Sequence, residues 1–395
     1  MALSHSPSIV TNGLTFYYDM GNTQKSWKGA PTTNLITNPD WQLGTDNNFT
    51  GWFRSDTTNI NVVRSKYLGE DCIKLTRNSG DTGYDGIRTT SGLSLSTSTT
   101  YTETIVYAVP YNMSQGLRFY MPERTNGVVT DYRHYLTALN ATSGWQTFKY
   151  TFTTSATATS WDGVSIDWNT TTSTQLETVF IKSIQLEQGS FATPFVNGTR
   201  SNTQAILDLT NRNTLTTENL VYSSNNNFSF NGTDSRVTTT LSAYSANATW
   251  EAWVNCSESL NAFNMFMGYW PPYFSFPDGN RILFSHNISG TQRSISSPAN
   301  LSLNTWYHAT FTCLYDGTNT TLKVYVNGVE VGSRTDLGSP GNPNAAGFTV
   351  GDGRAQTPLW YPFKGQVDSI KVYNRTLSAN EIQQNFNALR GRYGI

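Results

Sequence analysis

Across residues 321–334, apolar and polar residues alternate on either side of the dipeptide Asn327-Gly328. Leu322, Val324 and Val326 lead into it, and Val329 and Val331 lead out. Asn-Gly accepts the positive φ of a two-residue turn, so the pattern specifies a β-hairpin with one buried face. Short runs of the same style recur along most of the 395 residues. One group lies at 250–256, 305–313, 347–350 and 365–373. A second lies at 51–53, 72–76, 100–109, 145–153, 164–168 and 178–186. Strands of this length, separated by Asn, Gly, Ser and Asp, suit a β-sandwich or jelly roll. Composition agrees: charged residues make up 13% and aromatics 13% of the chain. Lys, Glu and Arg, the usual surface residues of helices, are too scarce for a mainly helical protein.

A single helix is expected. Leu377, Ile382, Phe386 and Leu389 place apolar groups on one helical face, Ser378 and Glu381 form a capping box, and Gly391 is suited to end the helix in the left-handed conformation. A net charge of −1 without any basic run argues against electrostatic binding of nucleic acid. No apolar stretch approaches the roughly 18 residues that cross a bilayer, and residues 1–10 lack the features of a signal peptide. Cys72, Cys256 and Cys313 show no metal spacing. They read as reduced, buried thiols, with a Cys256–Cys313 bridge as the alternative.

Several runs carry family resemblances. Residues 230–237 (FNGTDSRV), 250–254 (WEAWV), 304–308 (NTWYH), 324–328 (VYVNG) and 363–382 (FKGQVDSIKVYNRTLSANEI) resemble the laminin-G-like, concanavalin-A-like jelly rolls of phage structural proteins. The closing 389–395 (LRGRYGI) looks like the ends of virion proteins of large tailed phages, especially cyanophages. Residues 185–195 (QLEQGSFATPF), with 95–102 and 145–148, are similar to carbohydrate-binding-module-like jelly rolls of phage tail and fibre proteins. Residues 13–22 (GLTFYYDMGN) look like the first strand of the laminin-G-like family, whose continuation resembles 205–213 (AILDLTNRN). The resemblance therefore implies an all-β protein of two jelly-roll β-sandwiches, one inserted in the other, with one short C-terminal helix. Residues 1–33 hold the tail and first strand, 34–200 the inserted sandwich, and 201–395 the remainder of the outer sandwich. Both junctions are polar and turn-rich, as a tolerated insertion requires.

No nucleophile elbow, zinc-protease motif or phosphate loop is present among the residues. The histidines are His5, His134, His286 and His308, and His308 falls in a strand between aromatics. Glycoside hydrolysis would need paired carboxylates. Glu103, Glu177 and Glu187 lie on separate strands without a signature, so the chain is expected to be non-enzymatic. Sugar binding asks for aromatic faces beside short polar groups. Trp161 and Trp168, with Asp162 and Asp167, flank a strand near a loop; Trp270, Tyr273, Trp360 and Tyr361 form aromatic clusters in loops. These six aromatics are the candidate carbohydrate-binding residues, with protein–protein packing as the equal alternative. Trp52, Trp145, Trp250, Trp253 and Trp306 are expected in the cores. No cofactor is expected. Relatives of laminin-G-like folds often hold calcium through loop carboxylates, and Asp278, Asp316 and Asp352 precede glycines in turns; a calcium site there is the alternative to plain turn chemistry.

The resulting expectation is a phage virion structural protein: a tail-fibre, tail-tip or capsid-decoration subunit on the outer surface of the particle, assembled in the host cytoplasm. Its partners would be other virion subunits, further copies of itself and host surface glycans, without nucleic acid or membrane insertion. Residues before 13 and after 389 would serve as contact tails. The rival reading is a depolymerase of host surface polysaccharide.

Overall fold

The computed structural model describes residues 7–42, 49–81, 83–113, 116–131, 135–136, 140–168, 175–225, 227–241, 245–258, 263–269, 271–278, 280–341, 347–352 and 361–395. Among the described residues the chain is all-β apart from one C-terminal helix and a following 3-10 turn. It divides into two compact units, Met1–Pro31 with Ser201–Ile395, and Thr32–Arg200.

The first unit faces an eight-stranded sheet with a seven-stranded one. In the larger sheet the strand Lys364–Tyr373 lies beside Ala248–Glu258, and its opposite edge is shared by two segments far apart in sequence. Phe230 and Asn231 pair with its start, and Leu14–Asp19 pairs with its end. Beyond Ala248–Glu258 follow Trp306–Tyr315, Asn319–Val326 and Val329–Leu337. The last two form the Asn327-Gly328 hairpin, with φ of 50° and 80° at the turn and Val326 opposite Val329. The inner faces enclose an aromatic core: Trp250 sits 5.4 Å from Phe274 and 5.8 Å from Phe284, and Phe311 closes on both.

On the outer face of that sheet, strict alternation fails. Glu251, His308 and Lys371 occupy outward positions yet are fully buried, because the helix Ala379–Leu389 packs over them. Asn385 of the helix donates to both Glu251 oxygens at 3.0 and 2.9 Å and to Tyr373 Oη at 2.9 Å, and its Oδ1 accepts from the Val10 amide at 2.7 Å. The capping box at Ser378 and Glu381 forms in full. Gly391, however, does not end the helix. The chain continues through the turn Arg390–Tyr393, and Gly394 takes the left-handed conformation. Tertiary contacts hold that extra turn: Tyr393 stacks on Trp253 at 4.0 Å and donates to Asp368 at 2.6 Å, while Arg392 pairs with Asp19. The C-terminal residues are therefore anchored on their own sandwich rather than projecting as a contact tail.

The second unit is a sandwich of two five-stranded sheets. One contains Gln146–Thr153, Thr100–Ala108, Glu177–Gln188, Glu70–Arg77 and Ile60–Tyr67; the other contains Tyr135–Leu136, Leu117–Tyr120, Ser165–Trp168, Gly86–Thr89 and Trp52–Arg54. Trp41, Trp52, Phe119, Ile166, Trp168 and Ile184 fill the space between them. A short pair, Thr32–Thr33 with Thr199–Arg200, joins the two ends of the unit. All three cysteines are free and buried, so Cys256 and Cys313 are not bridged. Burial pushes their thiols up, to about 11 and about 12.

Candidate functional site

The outward face of the sheet containing Ser165–Trp168 carries a cleft of the second unit. Successive strand residues point to opposite faces. Trp52, Ile87, Phe119 and Ile166 enter the core, which leaves Phe53, Arg88, Tyr120 and Ser165 on the other side. The register aligns these four: Phe53 stands opposite Arg88, Arg88 opposite Ser165, and Ser165 opposite Tyr120. One row thus runs aromatic, cation, hydroxyl, aromatic over four strands, about 14 Å at the ordinary strand spacing. Ser165 is short, so the row dips at its centre. The result is a cleft of about 320 Å³ whose walls are residues 89–92 and 161–163 with Pro122. That size is at the small end of ligand pockets. Gly163 shapes the wall, since a Cβ there would come within 2.6 Å of the Ser91 carbonyl oxygen.

A second row supports the first. Arg118, Asp167 and Gly86 are aligned on the neighbouring register. Asp167 is fully buried and accepts from Arg118 through two bonds of 2.7 and 2.9 Å. The same guanidinium lies 4.5 Å from the Tyr84 ring centre and 4.4 Å from that of Tyr120. A bidentate ion pair and a cation–π contact therefore fix the orientation of Tyr120. Burial raises the Asp167 pKa, against the lowering pull of hydrogen bonds and charge from Arg118. At the wall, Asp162 is held by Arg124 in a second bidentate pair, both bonds 2.7 Å. Phe53 remains the open platform of the row, with 46% of its surface exposed.

The described aromatics singled out from sequence do not gather into one site: Trp161 and Trp168 belong to the second unit, while Tyr273 and Tyr361 lie in the first, both against the Phe263 ring. Trp161 lines the cleft but is only 8% exposed, and its indole N–H donates to Glu123 at 3.3 Å. Trp168 is 0% exposed, part of the sandwich core, and offers no face to a sugar. Tyr273 is 2% exposed in the first unit, its hydroxyl accepting from Gln292 at 2.8 Å. Tyr361 is half-buried, its ring 4.3 Å from that of Phe263. Trp270 and Trp360 lie outside the described residues, as do His5 and His134. Of the residues expected in the cores, Trp52, Trp250 and Trp253 are buried and Trp145 and Trp306 half-buried. The strand periodicity at 51–53, 86–89, 117–120 and 165–168 was the available signal for the cleft, but only pairing shows which four residues share a row.

The carboxylates considered for catalysis are buried too. Glu177 and Glu187 share the strand Glu177–Gln188 instead of lying on separate strands; Glu177 is ion-paired with Arg77 at 3.8 Å, Glu187 accepts from Thr32 and Thr193 at 2.7 to 2.8 Å, and Glu103 lies on the neighbouring strand Thr100–Ala108. His286 and His308 are both fully buried. The three turn aspartates do not gather either. Asp278 binds Arg281 at 2.5 Å, Asp316 caps the amides of Thr318 and Asn319, and Asp352 is buried. Among the described residues, Asp56, Asp81 and Asp85 bring carboxylates together. There the Arg77 guanidinium donates to Asp81 at 2.5 Å and already offsets part of the charge.

Residues 230–383 match the family model of the concanavalin A-like lectin/glucanase superfamily. That segment carries most of the first unit, whose β-sandwich is therefore similar to the laminin-G-like, concanavalin A-like fold. Among solved structures, the CBM40 module of the Ruminococcus gnavus IT-sialidase bound to α2,3-sialyllactose is 13% identical, with a TM-score of 0.31 over 42% of this chain and 95% of that one. Domain 4 of AbnA, a GH43 extracellular arabinanase of Geobacillus stearothermophilus, in complex with arabinotriose, is 21% identical, with a TM-score of 0.36 over 47% and 92%. The CBM22-1 xylan-binding domain of Paenibacillus barcinonensis Xyn10C is 13% identical, with a TM-score of 0.30 over 42% and 97%. No curated protein matches the chain.

Proposed function

We propose that the protein is a non-enzymatic, lectin-like binding protein whose second sandwich holds glycan in the cleft between Phe53 and Tyr120. The observation that carries this reading is the cross-sheet row Phe53–Arg88–Ser165–Tyr120. An exposed ring offers a stacking face for the apolar side of a sugar, and the polar centre of the row addresses its hydroxyls. The non-enzymatic part is supported by the state of the nearby carboxylates: Asp162 and Asp167 are each committed to an arginine through two hydrogen bonds. Neither is placed as a free general acid. Purified protein should bind a panel of host-surface oligosaccharides without changing their length on incubation. Shortened products would overturn the non-enzymatic reading in favour of a depolymerase. Phe53→Ala should weaken binding about tenfold or more, the equivalent of one buried ring; unchanged affinity would remove the cleft as the sugar site.

The protein's place in a particle rests on the resemblance of residues 363–382 and 389–395 to virion proteins of tailed phages. In that setting it would be a tail-fibre, tail-tip or capsid-decoration subunit. It would assemble in the host cytoplasm with other virion subunits and further copies of itself, and display its cleft outward. Labelled antibody against the chain should decorate the outer surface of intact particles; particles that bind none would refute this placement.

A further inference from the structure

The cleft carries an arginine that the fold does not use up. Arg88 stands at the centre of the row, between Phe53 and Ser165, with about a third of its side chain exposed. Its Nη2 donates to the Tyr84 carbonyl at 3.3 Å and lies 3.6 Å from Asp167, whose two oxygens are already held by Arg118. Its Nε is closed off from water and has no acceptor. The guanidinium is thus a planar fork with no bidentate partner of its own, set in the floor of a ligand-sized depression. Of the two charged residues that line the cleft, Asp162 is held by Arg124 through two bonds, whereas Arg88 makes no two-bond pair.

A guanidinium fork without a bidentate partner is matched in shape and charge by a carboxylate. We propose that the cleft selects sugars bearing a carboxylate, with Arg88 pairing with the acid group while the ring packs against Phe53. This inference rests on the reading of the cleft as a glycan site, and names the class of glycan. A neutral saccharide would leave the Arg88 fork no better satisfied than in the free protein. An acidic one converts a poorly paired, half-buried donor set into a charge-assisted pair, and hydrogen bonds to charged groups are the strong ones.

The test is calorimetric titration of the full chain with tetragalacturonate and sialyllactose, alongside their neutral counterparts, galactotetraose and lactose. One or both acidic sugars should bind more tightly than its counterpart, and the preference should shrink as salt is raised. Which of the two binds distinguishes a uronate from a sialate source. Arg88→Gln should cost about ten- to a hundredfold for the acidic ligand and little for the neutral one. Arg88→Lys, which keeps the charge without the fork, should fall between. Thermal melts of both variants identify any loss of fold, and if Arg88→Gln unfolds, the lysine variant and the salt dependence decide. Equal binding of acidic and neutral sugars, both lost on Phe53→Ala, would overturn the inference while leaving the cleft a glycan site. Silence towards the whole panel would overturn both.

Discussion

His286 shows how burial alone can tie the stability of a sandwich to pH. Its ring lies among Trp250 and Phe284, fully buried, and desolvation holds its pKa down at about 4 against an ordinary value of 6.5. The folded state therefore binds the proton less well than the unfolded chain. Its contribution is complete above about pH 6.5 and is lost as pH falls towards 4, on the order of 3 kcal/mol in all. His308 is lowered by desolvation as well and adds to the slope with the same sign. Thermal melts between pH 7 and pH 4 should show a steep loss of stability, and His286→Asn should make it shallower. Parallel pH profiles for the two proteins would refute the assignment. The same desolvation makes Trp168 and Tyr273 poor ligand contacts. An aromatic beside an aspartate reads as a sugar-binding pair in sequence, yet Asp167 and Trp168 are strand neighbours and face opposite sides of their sheet.

At the scale of single elements, local chemistry and structure agree wherever the determinants lie within a few residues. The Asn327-Gly328 hairpin is one case and the start of the C-terminal helix another. Ser378 Oγ accepts from the Glu381 amide, and Glu381 returns a bond to the Ser378 amide at 2.9 Å. The hydrogen bond from Arg375 pulls the Glu381 pKa down to about 2. Ser378→Ala should cost about 1 kcal/mol, read as a lower midpoint in denaturant at unchanged slope; an unaltered midpoint would show that packing alone starts the helix. The end of that helix was not legible in the same way. Gly391 has the right residue type, but the contacts of Arg392 and Tyr393 with Asp19, Trp253 and Asp368 carry the chain through one more turn. Those partners come from three other strands, and no local pattern announces them. The cleft has the same character: Phe53, Arg88, Tyr120 and Ser165 each look like an ordinary outward residue of a short strand.

For the whole molecule, the notable feature is how the chain leaves the first unit and re-enters it. Trp27 bridges to Ile206, and the Lys28 amide donates to the Ala205 carbonyl at 2.8 Å, so exit and return are neighbours within the first unit. Thr33 opposite Thr199 makes them neighbours within the second unit too. An excursion whose ends meet costs its host little, because the loop it closes is already tied. Replacing residues 32–200 by a short Gly-Ser linker should therefore leave a soluble first unit that melts in one cooperative step. Aggregation or a broad, non-cooperative transition would show that the first unit depends on the second.

What the sequence determined by itself is the class of structure: strand formers, turn residues and a lack of helix-surface charge leave room for little but β-sandwiches with one capped helix. Those signals are local, since alternation, turns and caps act over two to four residues. What only the tertiary structure decided is which outward side chains share a row, which charges are already paired, and which aromatics are closed off from solvent. Phe53, Arg88, Tyr120 and Ser165 share a row through strand register, and Arg88 is left without a two-bond partner because both Asp167 oxygens accept from Arg118. Register and pairing are properties of segments brought together from distant parts of the chain, and no window of neighbouring residues contains them.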